Sequence, residues 1–334
     1  MTAGRPMTVR GRAGTAAIVL LGIGAVCLAW PLRFQIDGLS MAPGLLPGDE
    51  VTSGVLPALD RFRRPQRFER WVLSAGDGTR VIKRIAGLAG ETVAIVGGDL
   101  AVNGETILKG PRLLGEMGSV VSAVRPDVTA GAATTRHWVL PAHEVLDDAE
   151  FAPQERSRLL LPVHDCGLAA EVVVHRLPAT GSVRIRVRVG DSLVSCRMRA
   201  AGRYAIVAGR LDGHLVAAAW PLPTSLPAGP RSCLPDHAAD NWNLAIPWPQ
   251  PAPEDTLAPH LALICEADGS TAAVESVTEW RDVLHRPAAD GTGIWKLRAD
   301  EYLVLGDFPA GSIDGRQWGP MHHTALRHRV MSPP

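Results

Sequence analysis

The sequence predicts a mainly β protein. An antiparallel β-strand core is interrupted by a large inserted β-rich, sandwich-like module and preceded by an N-terminal transmembrane helix. Three observations predict this. Twenty-seven prolines and 34 glycines leave few long periodic runs, which favours strands and turns over helices. Residues Ser182 to Val189 alternate strictly between apolar and polar, the period of a half-buried strand. Residues 13–32 form an apolar run without a charge.

The chain has 334 residues, which suits two domains or one domain with a large insertion, and 46% hydrophobic content is ample for a core. The formal net charge is zero, so nothing global points to nucleic acid. Of the 34 basic residues only Lys83, Lys109 and Lys296 are lysine. Arginine cannot be deprotonated in a protein and lysine can. Each lysine is therefore weighed for a role that arginine cannot fill, against chance.

The N-terminal run includes Ile18, Val19, Leu20, Leu21, Ile23, Val26, Leu28 and Trp30. About 20 apolar residues span a hydrocarbon core of ~30 Å. Arg5, Arg10 and Arg12 precede it without an acid, which places the tail (1–12) in the cytoplasm and the rest outside. A cleavable signal peptide has the same layout, with Cys27-Leu28-Ala29 as a passable cleavage site. A buried soluble helix is the third option. The uncleaved anchor is preferred.

Phe34-Gln35-Ile36-Asp37 alternates briefly as an extended segment. It leads into Gly38-Leu39-Ser40-Met41-Ala42-Pro43-Gly44-Leu45. Gly38 and Gly44 permit unusual backbone angles, and Pro43 disfavours helix at Ala42. Ser40 is therefore expected at a strand end or turn with its N–H free to serve as an oxyanion donor. The same residues superficially resemble a nucleophile elbow, but Pro43, Gly44, Pro47 and Gly48 prevent the helix that an elbow needs. A plain surface-loop serine stays open on this stretch alone.

Residues Arg61 to Arg84 carry eight basic residues against Glu69 and Asp77. With Phe62, Phe68 and Trp71 they could rest on anionic lipid, or form a solvated basic loop. Thr79 to Ile85 reads as a strand with Val81, Lys83 and Ile85 on one face. Burial there would lower the lysine pKa, because the charged form loses hydration. A neutral lysine is the best base on offer for Ser40, with a snorkelling or salt-bridged lysine as the bland reading. Glu91 to Val96 and Leu100 to Val102 read as further strands. Asn103-Gly104 is a strong hairpin turn, and Glu105 to Leu108 returns.

Residues from about 109 to 300 form the insertion. Val183, Ile185, Val187 and Val189 oppose Arg184, Arg186 and Arg188, giving one buried and one cationic face. Further strands are expected at Glu171–Arg176, Leu193–Met198, Tyr204–Ala208 and His214–Trp220, with a turn at Asp212-Gly213. Residues 221–258 are proline-rich and read as irregular. Cys166, Cys196, Cys233 and Cys265 lie in this segment. Disulfides and buried free thiols are both compatible with their spacing, which does not match a zinc site. His322, His323 and His328 read as surface residues.

Near the C-terminus, Glu301 to Leu305 reads as a strand. It leads into Gly306-Asp307-Phe308-Pro309-Ala310-Gly311-Ser312-Ile313-Asp314-Gly315-Arg316. Asp314 and Arg316 could pair across a tight loop. The Ser312 hydroxyl could bond a neutral amine without holding it charged.

Taken in order, the anchor, GLSMAPGLLPGD, VIKRIAGLAGETVAI with VNGE, and GDFPAGSIDGRQWG resemble bacterial type I signal peptidase. The resemblance covers roughly 13–108 and 301–325. It implies that Ser40 is the nucleophile, Lys83 the general base and Ser312 the group that orients the lysine. Asp314 and Arg316 would support the site as a salt bridge, and Gly306 and Asp307 match a Gly-Asp pair. Met41 and Pro43 match a Ser-Met-x-Pro pattern. Phe308, Gly315, Ala89, Glu91 and Gly38 depart from the family's usual residues, which leaves rate and substrate range open.

The expected organisation is a tail (1–12), an anchor (13–32), the first part of a peptidase core (33–108), the inserted module (109–300) and a closing part (301–334). The expected activity is removal of N-terminal signal peptides from exported preproteins at the extracytoplasmic face of the plasma membrane. The partners are then signal peptides and the bilayer, with no nucleic acid, metal or cofactor. The rival reading is a membrane-tethered binding or scaffold protein with a catalytically silent core.

Overall fold

A computed structural model describes residues 30–54, 56–124, 128–130, 135–139, 145–147, 160–190, 192–223, 241–248, 261–268 and 270–331. The expected anchor at 13–32 lies outside the described residues apart from Trp30 to Leu32. No helix among the described residues is long and apolar enough to cross a membrane. The fold is mainly β, in several sheets whose strands all pair antiparallel.

The first part of the chain runs through β1 (Arg33–Gln35), β2 (Glu50–Ser53), β3 (Arg70–Ser74), β4 (Arg80–Gly87), β5 (Thr92–Val96), β6 (Asp99–Val102), β7 (Glu105–Thr106) and a short helix, α1 (Pro111–Met117). The β6–β7 hairpin turns on Asn103 and Gly104, both at positive φ, as the dipeptide predicts. The middle of the chain forms β8 (Ser119–Val124), β9 (Val128–Ala130), β10 (Thr135–Val139), β11 (Cys166–Arg176), β12 (Ser182–Val189), β13 (Ser192–Met198), β14 (Gly202–Leu211), β15 (His214–Pro221), β16 (Leu244–Pro247), β17 (Leu261–Asp268) and β18 (Thr271–Arg281). The end of the chain adds β19 (Ile294–Lys296), β20 (Glu301–Leu305), helix α2 (Gly315–Trp318), β21 (Met321–His322) and β22 (Leu326–Met331).

The middle strands make a sandwich. The sheet β10-β17-β12-β13 faces the sheet β16-β15-β14-β11-β18-β8, with β9 on β18. Val183, Ile185, Val187 and Val189 of β12 meet Val172 and Val174 of β11, Ile206 of β14 and Val274 of β18 in one apolar core. Each such side chain contributes roughly 1.5–3 kcal/mol when fully buried. Glu266 pairs with Arg184 and Arg186 on the wet face of β12. Two expectations are corrected. The proline-rich stretch contains β16, which pairs with β15 while Leu244 and Trp248 pack on the core. Trp71 is completely buried, so it cannot lie on lipid, whereas Phe62 is 71% exposed.

The remaining strands form the sheet β1-β2-β22-β3-β4-β20-β21 and the smaller sheet β19-β5-β6-β7. β22 lies between β2 and β3, and β20 pairs with β4. The two ends of the chain are thereby interleaved, and the closing motif lies beside the lysine strand.

Cys166 and Cys196 are buried free thiols, which rules out a disulfide for either. The Cys233 position and the Cys265 side chain lie outside what the structure describes.

Candidate active site

β4 carries Lys83 between Val81 and Ile85, directly opposite Trp71 of β3. Cross-strand partners share a face, and on this one Trp71, Leu73, Ile85 and Val304 form a buried apolar cluster with Val81 beside it. Lys83 is only 3% exposed. Its Nζ lies 2.7 Å from Ser40 Oγ. Burial pushes the Lys83 amine down to about 8, against the pull of Asp314 and Asp307, while Arg316 pushes it further down.

Ser40 sits at the start of a turn that follows β1, held by bonds from Ala42 N to Leu39 O (2.9 Å) and from Leu45 N to Met41 O (2.9 Å). Met41 and Leu45 are buried anchors of this turn, packed with Ile36, Val51 and Val72. Pro43 is half-buried behind them, while Gly38 is exposed with open space beside it. The Ser40 carbonyl accepts from Phe308 N at 3.1 Å. Among the described residues no acceptor takes the Ser40 N–H.

The closing motif folds around Asp314. Arg316 grips its carboxylate with Nε and Nη2, both at 2.9 Å, and Gly306 N donates to Oδ2 at 2.8 Å. Asp314 also caps α2, accepting from Arg316 N while its own N–H donates to Gln317 Oε1 at 2.9 Å. Burial pushes the Asp314 carboxyl up, but Arg316 and these hydrogen bonds outweigh it and hold it low. Gly306 has no room for a side chain: a Cβ would meet the Ser40 carbonyl at 2.5 Å and Ser312 Cβ at 2.6 Å.

The Ser312 hydroxyl donates to Asp314 Oδ2 at 2.8 Å, and no hydrogen bond joins it to Lys83. The direct contact that the resemblance implies is therefore absent from this structure, because Asp314 takes the hydroxyl instead. Phe308 is buried, and its ring fills the space above Gly311. Gly315 leaves no room for a side chain against the Val304 carbonyl.

A second ion cluster was not foreseen. Arg84, next to Lys83, grips Asp307 with Nε at 2.7 Å and Nη2 at 2.6 Å. Its Nη1 donates to the Phe68 carbonyl at 2.7 Å and to Glu116 of α1 at 3.1 Å. Arg70 lies 3.6 Å from the same Glu116 oxygen. The available signal was a strand in which Lys83 and Arg84 point to opposite faces, with both faces covered.

A third cluster surrounds Lys109. Asp99, Asp165, Asp212 and Asp282 bring their carboxylate oxygens within 4.8 Å of one another. The Lys109 ammonium pairs with Asp212 and, at 2.9 Å, with Asp282, so the lysine supplies the cation itself. Burial alone would push Lys109 down, but these carboxylates outweigh it and hold it charged. Burial and mutual repulsion push Asp99 up to about 8 and Asp282 up to about 6. Charge counting reconciles the two trends. Four carboxylates face Lys109 and Arg210, so the ammonium stays and a proton is retained among the acids. The third lysine, Lys296, is exposed on β19.

His322 is exposed as expected and paired to Asp300, whereas His323 is half-buried, its ring tilted against Tyr302. His328 is half-buried, stacked on Phe34.

A search of curated proteins finds no match for the chain. The family model described as signal peptidase, peptidase S26, matches residues 10–145. That range holds Ser40, Lys83 and Arg84 and ends before the closing motif. The matched range includes the stretch that carries the buried amine and its hydroxyl partner, so that stretch is similar to the signal peptidase family, peptidase S26.

Proposed function

We propose that the chain is a membrane-anchored serine endopeptidase that removes signal peptides from exported preproteins, with Ser40 as nucleophile and Lys83 as general base. One observation carries this reading: a buried amine, lowered to about 8, lies 2.7 Å from a serine hydroxyl. A neutral amine at that distance takes the Ser40 proton as the oxygen attacks the carbonyl at the cut. The unpaired Ser40 N–H stabilises the oxyanion. The protonated lysine then supplies the proton for the leaving amine. Water, activated by the same lysine, clears the acyl-enzyme. Ser312 acts on the lysine through Asp314, whose charge Arg316 and the Gly306 N–H hold in place. Residues 109–300 are read as a module inserted into this core, and the core faces the extracytoplasmic side of the bilayer.

The test is cleavage of a purified preprotein by the full chain in detergent micelles. Loss of cleavage in both Ser40→Ala and Lys83→Arg supports the proposal. Cleavage that survives Lys83→Arg would overturn the base assignment, because a guanidinium cannot accept the proton. A folded wild-type chain that cuts no preprotein would favour the scaffold reading.

A further inference from the structure

We propose that α1 is a strut that carries the docking of the sandwich onto the Ser40–Lys83 pair, with Glu116 as its positioning residue. This rests on the serine peptidase reading of that pair. The helix stands between the Lys109 cluster and the Arg84 cluster. At its start, Lys109 is tied to the sandwich. Its N–H donates to Asp212 at 2.7 Å, its ammonium pairs with Asp212 and Asp282, and its carbonyl accepts from Trp242 Nε1 at 2.8 Å. Asp212 lies in the β14–β15 turn, and Asp282 follows β18. One turn into α1, Leu114 is buried against Ala169, Val207, Val216 and Trp280 on the outer face of the larger sandwich sheet.

The end of the helix touches both halves of the site. The Glu116 carboxylate receives Arg84 and Arg70, and Arg84 in turn holds Asp307. Lys83 precedes Arg84 on β4, and Phe308, which follows Asp307, donates its N–H to the Ser40 carbonyl. The backbone of Glu116 also presses on the serine turn. Its carbonyl oxygen occupies the place where Gly44 would carry a Cβ, four residues after Ser40. Any side chain at Gly44 would push α1 and the serine turn apart. Without the Glu116 charge, α1 loses its ionic hold on Arg70 and Arg84 of the core sheet.

A loosened strut lets water reach Lys83, so the amine climbs toward its ordinary ~10.4. That is measurable without turnover, by competitive acylation of the Lys83 amine across pH in the full chain, read by mass spectrometry. Glu116→Gln is expected to raise the Lys83 midpoint by about one pH unit and to lower kcat about tenfold at pH 7. KM for the preprotein should change far less. Lys109→Met and Gly44→Ala should move the midpoint in the same direction. Glu116→Asp, which keeps the charge, should restore part of the shift. Arg188→Ala, on the outer face of the sandwich, should leave it in place. An unchanged midpoint in folded Glu116→Gln and Gly44→Ala would overturn the strut. So would a fall in kcat that follows only the folded fraction. If the wild-type chain proves to cut nothing, the labelling result still decides the strut, so the two failures stay distinct.

Discussion

Lys83 and Lys109 are buried to almost the same degree, at 3% and 2% exposure. Their surroundings differ in what stands against the amine. Lys83 meets a hydroxyl and an apolar row, and the nearby carboxylate of Asp314 is already gripped by Arg316. Lys109 meets Asp212 and Asp282 directly. Desolvation therefore outweighs the pull of Asp314 and Asp307 in the first case and is overcome in the second. Burial alone does not make a base. A base also needs its counter-charges occupied elsewhere, and Arg316 and Arg84 do that for Asp314 and Asp307.

The sharpest way to break this comparison is to replace each lysine by methionine. Lys83→Met is expected to lower turnover on the order of 10³-fold, the scale of a lost general base. It should also raise stability, by up to roughly 3 kcal/mol, since the amine's lowered pKa is a folding cost at neutral pH. Lys109→Met should do the reverse on stability and remove about 3–5 kcal/mol, because it strands buried carboxylates. Chemical denaturation of both variants at pH 7 checks the signs. Equal destabilisation of the two would sink the distinction. Wild-type kcat/KM should rise with pH through about 8 as Lys83 loses its proton.

The pH dependence of stability sharpens the same contrast. Asp99 and Asp282 titrate higher in the folded chain, at about 8 and about 6, than the ~3.9 of an unfolded aspartate. Folding thus binds extra protons near neutral pH. The stability they confer is full only below the ~3.9 of the unfolded chain and is lost as pH rises above it, up to about 6 for Asp282 and about 8 for Asp99, by up to about 1.4 kcal/mol per pH unit for each proton. Around Asp99 and Asp282 stand Asp165, Asp212, Lys109 and Arg210, so the cations cannot absorb the change. A melting temperature that rises from pH 5.5 to 8.5 would contradict this.

Some of this was legible in the residues and some was not. The strand at 182–189, the Asn103-Gly104 turn and the Asp314–Arg316 pair follow from local spacing. Ser40 and Lys83 were paired on residue chemistry and a family resemblance, and they stand within hydrogen-bonding reach. The Lys109 cage drew its acids from positions 99, 165, 212 and 282, which share no period and come together only through four separate strand ends. The rarity of lysine pointed at residue 109 without naming its partners. Glu116 was equally silent, since its worth depends on Arg70 and Arg84 arriving from another sheet. Trp71 was misplaced because charges at Arg64, Arg67 and Arg70 masked the start of β3, a strand buried on both faces.

A smaller effect is expected where a bidentate contact is thinned. Arg316→Lys keeps the charge beside Asp314 and loses the planar two-point grip. The loss should cost about 1–3 kcal/mol, the worth of hydrogen bonds to charged groups. Freed of that grip, Asp314 would pull harder on Lys83 and raise its pKa, so the rise of kcat/KM should move to higher pH. An unshifted pH profile would mean that Asp314 does not feel its partner.

The least effect belongs to Glu266, and it closes the comparison from the other side. Glu266 pairs with Arg184 at 3.5 Å and with Arg186 at 3.1 Å, but all three side chains keep about a third of their surface in water. Exposed pairs are worth roughly 0.2–1 kcal/mol and are screened by salt. Glu266→Gln should therefore cost no more than that, and the cost should vanish in 1 M salt. The Lys109→Met cost should persist in the same salt, since ions do not screen a cage that excludes them. If the two substitutions proved equally salt-sensitive, the Lys109 cluster would be open to solvent, and its protons would no longer need to be retained.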